Sequence, residues 1–234
     1  MLFAVPVYNE EKGLPKLLEH IKPFLEDPNN RMIIVDDGSL DNSDKIIREF
    51  IDTLPEGRVF HIRHEKNVGL SGALISAFKL SLENEKDYFP LITIDGDGQL
   101  CIDNIMEYVS KFNENRLDFM LVSRDFSKYP FFKRIGNYIL SFIAGFLLGK
   151  KIHDIESGLR ILSKRAVNVV IKRLAGSKYS IASEMVYIVN RYGLNFECSG
   201  KNKIIFYRSR TTIIDFFRNL YFGVYQYFRY KDAD

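Results

Sequence analysis

The first half of the chain alternates short apolar runs with longer segments of helical periodicity. Leu2–Val7, Met32–Val35 and Leu91–Ile94 indicate buried strands, while Glu10–Glu26 repeats leucine and isoleucine at three- and four-residue spacing. Strands that alternate with helices predict right-handed βαβ units, so we expect an α/β fold whose largely parallel sheet is covered by helices on both faces. The other predicted elements are strands at Val59–Ile62 and Phe119–Val122, helices at Asp41–Phe50, Ser71–Leu82, Ile102–Phe112, Phe131–Gly149, Val167–Leu174, Ile181–Tyr192 and Phe216–Tyr230, and one or two strands between Phe196 and Tyr207.

Composition limits the class of protein and its partners. With 234 residues, of which 46% are hydrophobic, the chain can bury a full core as one domain, with or without a small appendage. Its net charge of +3 is too small to indicate a nucleic-acid partner, and we expect none. Cys101 and Cys198 are far apart and lack metal-ligand spacing, which is typical of a reducing compartment. The histidines lack ligand spacing as well, and we expect none of them to take part in a site.

The segment Asp95–Gln99, here named the carboxylate turn, directly follows the fourth predicted strand. In extended backbone the side chains of residues i and i+2 point the same way, so Asp95 and Asp97 would share one small volume. Their repulsion raises the pKa of one of them unless a cation lies between them. Oxygen ligands suit Mg²⁺ or Mn²⁺, with Gln99 as a further neutral donor. The alternative is a simple turn, since Asp-Gly is a common hairpin signal.

Polar clusters follow the other predicted strands as well. Ligands of parallel α/β sheets bind beyond the carboxyl ends of the strands, so clusters at those ends converge on one site. This convergence favours a metal at Asp95-Gly96-Asp97, the cluster after the fourth predicted strand. Asp36 and Asp37 keep an alternative role as the cap or turn before the second helix. The clusters are Tyr8-Asn9-Glu10, Asp36-Asp37-Gly38-Ser39, Asp95-Gly96-Asp97 and Ser123-Arg124-Asp125.

In order and spacing, these motifs resemble those of the family-2 nucleotide-sugar glycosyltransferases. A later stretch, Asp154–Arg160 (the late motif), reads D-I-E-S-G-L-R and is similar to the D-x-x-S-G-F/L-R motif of the branch that makes dolichyl- or polyprenyl-phosphate sugars. The resemblance, which runs from Phe3 to about Arg210, implies a single Rossmann-like domain of the A type and inverting sugar transfer. The other motifs that carry it are Ala4-Val5-Pro6-Val7-Tyr8-Asn9-Glu10-Glu11, Ile34-Val35-Asp36-Asp37-Gly38-Ser39, Asn67-Val68-Gly69 and Asp95-Gly96-Asp97-Gly98-Gln99.

The resemblance also implies roles for individual residues. Asp97 and Gln99 would hold a Mg²⁺ or Mn²⁺ ion on the diphosphate of a UDP-, GDP- or dTDP-sugar, and Asp95 would face that donor. Glu10 would lie near the ribose and Asp37 near the base. The full nucleoside pocket would comprise Pro6, Tyr8, Glu10, Asp37, Asn67 and Gly69. The catalytic centre would comprise Asp95, Arg124, Asp154 and Arg160, and the acceptor-phosphate site Arg134, Ser157, Arg208 and Arg210.

The acceptor decides whether the enzyme needs a base. A sugar hydroxyl must lose a proton to a positioned carboxylate, whereas a monophosphate is already anionic near neutral pH, its second pKa being about 6. The second half of the chain offers many Lys and Arg residues and only scattered acids, which favours a phosphate acceptor, although a solvated basic face has the same composition. Asp154 stays open between a base and a residue that orients Arg160.

Two aromatic segments, Phe131–Gly149 and Phe216–Tyr230, carry Lys or Arg nearby. That composition suits the headgroup level of a membrane, so we expect a peripheral protein on its cytoplasmic side. Residues 1–210 would form the glycosyltransferase domain and residues 211–234 an amphipathic, membrane-proximal helix. No uninterrupted run of about 18 apolar residues indicates a transmembrane helix. The alternative for the aromatics is an ordinary core or the interface of a homo-oligomer.

Three functions stay open at this point. The first is metal-dependent, inverting transfer of a sugar from a nucleotide sugar to a polyprenyl (dolichyl or undecaprenyl) phosphate. The second is a family-2 enzyme with a sugar-hydroxyl acceptor, in polysaccharide or glycoconjugate synthesis. The third is a nucleotide-binding subunit that has lost catalysis, against which the intact Asp95, Asp97 and Gln99 argue.

Overall fold

The computed structural model describes residues 1–83, 88–174, 181–205 and 213–231. They form one seven-stranded sheet with helices on both faces. The strands are β1 (Leu2–Val7), β2 (Arg31–Asp36), β3 (Val59–Arg63), β4 (Leu91–Thr93), β5 (Phe119–Arg124), β6 (Arg160–Leu162) and β7 (Phe196–Asn202). The helices are α1 (Leu14–Leu25), α2 (Ser43–Ile51), α3 (Gly69–Glu83), α4 (Ile105–Glu114), α5 (Phe131–Leu148), α6 (Lys164–Arg173), α7 (Ile181–Arg191) and α8 (Ile213–Lys231).

The sheet has the order β3-β2-β1-β4-β6-β5-β7. β1 pairs in parallel with β2 and β4, and β5 pairs in parallel with β7. β6 lies antiparallel between β4 and β5, so Arg160 pairs with Thr93 on one side and with Leu121 on the other. The start of β6 therefore lies at the end of the sheet where the parallel strands finish.

Both faces of the sheet are buried under helices. In β1, Leu2 and Ala4 belong to the core layer shared with α3, α6 and α7, whereas Phe3 and Val5 belong to the layer shared with α1 and α4. These four side chains are at most 1% exposed. Successive residues of a strand point to opposite faces, so an unbroken apolar run is what a doubly covered strand requires.

The first helix begins later than its periodicity predicted. Leu14, Leu17, Leu18, Ile21 and Leu25 are buried at the predicted spacing, but α1 starts at Leu14 rather than at Glu10. Residues 10–13, which precede α1, make other hydrogen bonds. The amide of Glu11, for example, donates to Asp41 at 3.1 Å. These bonds to the loop before α2 explain why α1 begins at Leu14.

The strand β6 was not predicted from the sequence. It consists of Arg160, Ile161 and Leu162, and its first residue closes the late motif. Three residues are too few to show the alternation that identifies a strand. Ser163 follows at once and caps α6, its hydroxyl accepting from the amide of Ala166 at 3.1 Å.

The helices α5 and α8 contact each other, and α8 also packs on α7. α5 has 18 residues, a mean hydropathy of 1.3 and 22% of its residues buried. In the described part of the chain it is the one helix long and apolar enough to cross a membrane, a test that the core helix of a globular domain also passes. The predicted helix Phe131–Gly149 has this length, but it was not counted as an uninterrupted apolar run because Lys133 and Arg134 lie near its start.

Candidate active site

The loops after β1 and β2 are joined by hydrogen bonds. The amides of Asn9 and Glu10 donate to the hydroxyls of Ser39 (3.0 Å) and Ser43 (2.9 Å). The side-chain oxygen of Asn9 accepts from the amide of Leu40 at 2.8 Å. Asn9 has a φ of 52°, a left-handed conformation that asparagine adopts more readily than most residues. The first two motifs therefore form one unit at the carboxyl ends of their strands, as their positions predicted.

Asp37 ties the third motif to this unit. Its carboxylate accepts from the amides of Val68 (3.0 Å) and Gly69 (2.8 Å) and lies 2.7 Å from His64 Nδ1. The other ring nitrogen of His64 lies 2.9 Å from the hydroxyl of Ser76 on α3. Asp37 is 2% exposed. It organises the loop before α3, and its predicted contact with a nucleoside base would come in addition to this role.

His64, which was set aside in the sequence analysis, contacts the predicted site residue Asp37. It directly follows β3 and so occupies the same kind of strand-end position as the polar clusters that were selected. The rule that ligands gather at these ends would have found it. The spacing of histidines, which was the criterion applied, detects metal ligands but not a histidine that supports a carboxylate.

The other residues predicted for the nucleoside pocket surround these loops. Tyr8 is 37% exposed, and Asn67 is also exposed. Pro6 lies in β1, and its carbonyl accepts from the amide of Gly96 at 3.2 Å. The first strand is thereby joined directly to the carboxylate turn, and the predicted donor residues lie at one end of the sheet.

The carboxylate turn begins after β4 has ended. β4 ends at Thr93, the amides of Ile94 and Gly96 continue its hydrogen bonding to β1, and turn positions begin at Gly96, between the two acids whose pairing was predicted from extended backbone. The Asp97 carboxylate accepts from the Gln99 amide at 3.0 Å and from Gln99 Nε2 at 2.5 Å. Burial, together with the charges of Asp95 and Glu10, raises the pKa of Asp97 to about 6. The segment is thus a turn that also concentrates carboxylates.

Glycines allow other segments to approach this turn closely. A Cβ atom on Gly158 would overlap the carboxylate of Asp95, and one on Gly13 would overlap the backbone carbonyl of Asp97. The side chain of Asp95 therefore lies directly against the backbone of the late motif. The start of α1 packs on the other side of the turn in the same way.

Asp154 is fully buried and pairs with Arg124. Its oxygens accept from the guanidinium Nε (2.7 Å) and Nη2 (2.9 Å), and from the Arg124 amide (3.0 Å). Burial acts to lower the pKa of Arg124, but the charge of Asp154 and its hydrogen bonds together outweigh burial and raise it. Of the two roles left open for Asp154, these bonds favour orientation, and the arginine so oriented is Arg124 rather than Arg160.

Arg160 is 1% exposed at the start of β6. Burial lowers the pKa of its guanidinium to about 10, against the opposing effect of the charges of Asp95 and Asp154. Its Nε atom has no hydrogen-bond partner among the described residues. A buried charge is tolerated when opposite charges surround it, and here these belong to the carboxylate turn and the late motif. Arg160 therefore connects the two motifs electrostatically.

The residues predicted for the acceptor phosphate occupy different settings. Ser157 is buried, and its hydroxyl donates to the Val122 carbonyl at 2.5 Å, which anchors the late motif to β5. Arg134 is exposed in the first turn of α5. Arg208 and Arg210 lie outside the described residues.

The carboxylate turn fits a divalent cation. Burial and the repulsion from Asp95 raise the pKa of Asp97, and a bound cation would offset both unfavourable effects on the ionised carboxylate. In the described ranges no three Asp, Glu, His or Cys side chains are grouped to hold a metal. A site with one or two carboxylates, completed by water and substrate phosphates, is the usual arrangement for Mg²⁺. Asp97 and Gln99 are the residues that would hold such an ion.

Comparison with known proteins identifies the family. Residues 3–170 match the family described as Glycosyl transferase family 2. The chain belongs to this family. Its relatives include the UDP-N-acetylglucosamine–dolichyl-phosphate N-acetylglucosaminyltransferase of Methanococcus voltae, 32% identical over 206 residues that cover 82% of this chain and 80% of the relative. Another is the human dolichyl-phosphate beta-glucosyltransferase, 25% identical over 203 residues that cover 79% of this chain and 61% of the relative.

Two solved structures of other enzymes share the fold. Glucosyl-3-phosphoglycerate synthase from Mycobacterium tuberculosis, solved with UDP, superposes with a TM-score of 0.70 at 15% identity and covers 100% of this chain and 80% of its own. The mannosyltransferase PcManGT from Pyrobaculum calidifontis, solved with GDP-Man and Mn²⁺, has a TM-score of 0.65 at 15% identity, with coverages of 100% and 64%. The predicted A-type fold and the predicted glycosyltransferase family are confirmed.

Proposed function

We propose that this glycosyltransferase moves a sugar, with inversion and in a metal-dependent reaction, from a nucleotide sugar to a polyprenyl phosphate. The observation that carries the proposal is the state of Asp154. It is buried and both of its oxygens accept hydrogen bonds from Arg124, so it is poorly available as a base. A phosphate acceptor is already anionic and needs no base. The names of the two relatives, which include dolichyl phosphate, support the same class of acceptor.

The donor would bind at the carboxyl ends of β1, β2 and β4. Asp97 and Gln99 would hold Mg²⁺ or Mn²⁺ at the diphosphate, and Asp95 would face the sugar. When bound, the ion would neutralise charge that develops on the leaving nucleoside diphosphate. The neighbouring structures with UDP, or with GDP-Man and Mn²⁺, support this class of donor, with the choice among UDP-, GDP- and dTDP-sugars open.

The acceptor would approach from the side of the late motif. Arg160 would offset the repulsion between the acceptor phosphate and the donor diphosphate from its buried position between carboxylates. Arg134, exposed at the start of α5, would meet the acceptor phosphate from solvent. The same role for Arg208 and Arg210 is a proposal from the sequence alone.

The protein would work as a peripheral protein on the cytoplasmic side of a membrane. Its two free cysteines suit a reducing compartment, and the exposed aromatic residues of α5 and α8 suit a lipid headgroup layer. In this proposal residues 211–234 form the membrane-proximal part and residues 1–210 the catalytic part. The same aromatics support a homo-oligomer interface as the alternative. The most exposed of them are Phe131, Phe132, Tyr138, Phe142 and Phe146 on α5 and Phe217, Tyr221, Tyr225 and Phe228 on α8.

A transfer assay tests the proposal. Purified protein would be incubated with Mn²⁺, labelled UDP-, GDP- and dTDP-sugars, and either a polyprenyl phosphate in detergent or glycan acceptors. We expect label in the lipid fraction with one class of donor, and none with Asp97→Ala. Label on a glycan alone would support the hydroxyl-acceptor enzyme instead. Tight binding of a nucleotide sugar without transfer to either acceptor would support the inactive subunit.

A further inference from the structure

Glu156 connects the late motif to the last helix. Its carboxylate accepts a hydrogen bond from Asn219 Nδ2 of α8 at 2.5 Å. Burial raises the pKa of Glu156, while the charge of Arg124 and the bond from Asn219 act in the opposite direction. Nothing in the proposed transfer reaction uses this carboxylate. It nevertheless lies in a buried stretch of the late motif, because its neighbours in sequence, Ile155 and Ser157, are 3% and 0% exposed.

The helix α8 has two different faces. Gln226 and Tyr230 follow Asn219 at seven and eleven residues and so lie on the same side of the helix. Gln226 accepts from the hydroxyl of Ser183 on α7 at 3.3 Å, and the Tyr230 hydroxyl donates to Glu184 on α7 at 2.7 Å. The opposite side exposes aromatic rings by 50–67%. These are Phe217, Tyr221, Tyr225 and Phe228.

The bond from Asn219 reaches the active-site turn. The bonds of Gln226 and Tyr230 end on α7, and the Tyr230 hydroxyl also contacts the Arg173 carbonyl of α6 at 2.8 Å, whereas Glu156 lies inside the turn from Asp154 to Ser157. In that turn the Ser157 amide donates to the Asp154 carbonyl at 3.4 Å. Asp154 holds the Arg124 guanidinium. A displacement of the turn would therefore displace this arginine as well.

We propose that Asn219 and Glu156 are positioning residues that fasten the turn Asp154–Ser157 to α8. The helix that would meet the lipid surface thereby fixes the geometry of the acceptor side of the active site. For the identity of the acceptor, this inference rests on the proposed function. The fastening itself is a property of the fold and can be measured without any substrate.

Amide hydrogen exchange tests the fastening directly. Asn219→Leu removes the donor, and a cavity of about 20 Å³ beside Glu156 and Asn219 leaves room for the new methyl groups. A hydrogen bond to a carboxylate is stronger than a neutral one, so we expect exchange of the amides in residues 154–159 to accelerate about tenfold or more. Gln226→Leu is the matched control, because it removes an inner-face bond of α8 that ends on α7. Equal exchange of these amides in wild type and Asn219→Leu would overturn the proposal, as would equal acceleration in both variants.

Kinetics then separates positioning from general stability. We expect Asn219→Leu and Glu156→Leu to raise KM for polyprenyl phosphate by about tenfold, with KM for the nucleotide sugar little changed. Glu156→Gln keeps an acceptor oxygen for Asn219 and should restore most of the acceptor affinity. A rise in both KM values, or no rescue by glutamine, would contradict a positioning role. If the wild-type protein transfers nothing to polyprenyl phosphate, the proposed function fails. The hydrogen-exchange experiment still tests whether Asn219 and Glu156 fasten the turn to α8.

Discussion

At Gly158 the absence of a side chain lets the Asp95 carboxylate lie against the backbone of the late motif. We predict that Gly158→Ala displaces Asp95 and lowers turnover about a hundredfold, because a shift of about an ångström in a reacting group can cost that much. The measurement is kcat in the transfer assay, alongside the melting temperature. Gly136→Ala on α5 is the control, since its new methyl group would have only an ordinary contact with Phe216 at 3.4 Å. Full activity of Gly158→Ala would show that Asp95 tolerates another position.

Asp97 provides a prediction on pH. Its pKa is raised to about 6 in the folded protein from an ordinary 3.8, so the folded state binds the proton more tightly than the unfolded state. The metal-free fold is then favoured at low pH and loses this contribution as pH rises from about 4 to 6. Asp97→Asn cannot lose a proton, so in EDTA it should melt above the wild type at pH 7.5, with a gap that narrows towards pH 5. A gap independent of pH would contradict the assignment.

Individual residues show where prediction from sequence stops. The positions of Asp97 and Arg124 marked them as site residues, because polar residues at strand ends converge in this class of fold, whereas Asp154 was marked by the resemblance of the late motif. Their pairing could not be read from the sequence. Asp154 had two arginines within reach of its motif, and the choice of Arg124 depends on the position of β5 in the sheet.

Among the elements, α8 allows a test of the proposed membrane contact. Phe217 and Tyr221 are 62% and 67% exposed on its outer face. We predict that replacing both with serine weakens binding to anionic liposomes at low salt by at least about tenfold, because burying one large apolar side chain contributes about 1.5–3 kcal/mol. Flotation of the liposomes measures the bound fraction. Met106→Ser, which removes an exposed apolar side chain from α4, is the control. If wild-type protein does not float, the aromatic face has another partner, such as a second copy of the chain.

The long elements were predictable and the short ones were not. The six-residue run Leu2–Val7 and the amphipathic pattern of α1 each repeat often enough to show their period. β6 does not, and its membership in the sheet depends on partners more than thirty residues away, Thr93 and Leu121. The predicted start of α1 was four residues too early for a related reason, because hydrogen bonds to a loop about thirty residues later in the sequence compete with the helix there.

At the scale of the whole molecule, ligand binding should appear as thermal stability. A ligand that binds only the native state at about a hundred times its Kd contributes about 2.7 kcal/mol, which for a chain of this size raises the melting temperature by about 5–10 °C. We predict such a shift for one class of nucleotide sugar with Mn²⁺, and a smaller one in EDTA. Asp97→Ala should abolish the Mn²⁺-dependent part. An unchanged Mn²⁺-dependent shift in that variant would show that the ion binds at another site.

The antiparallel strand β6 has a consequence for how the molecule forms. Among the described strands, β3-β2-β1-β4 and β5-β7 are joined through its three residues, beside an isolated bridge between Leu100 and Ile204. Leu162 pairs with Leu91 across a long stretch of chain, and contacts that close long loops form slowly. The pairings among β1, β2 and β3 span the shortest stretches of chain, so we expect them to form first and β4 to β7 to join them later. Arg160 then reaches the carboxylate turn in one of the later steps, and a partly folded chain lacks this contact between the two motifs.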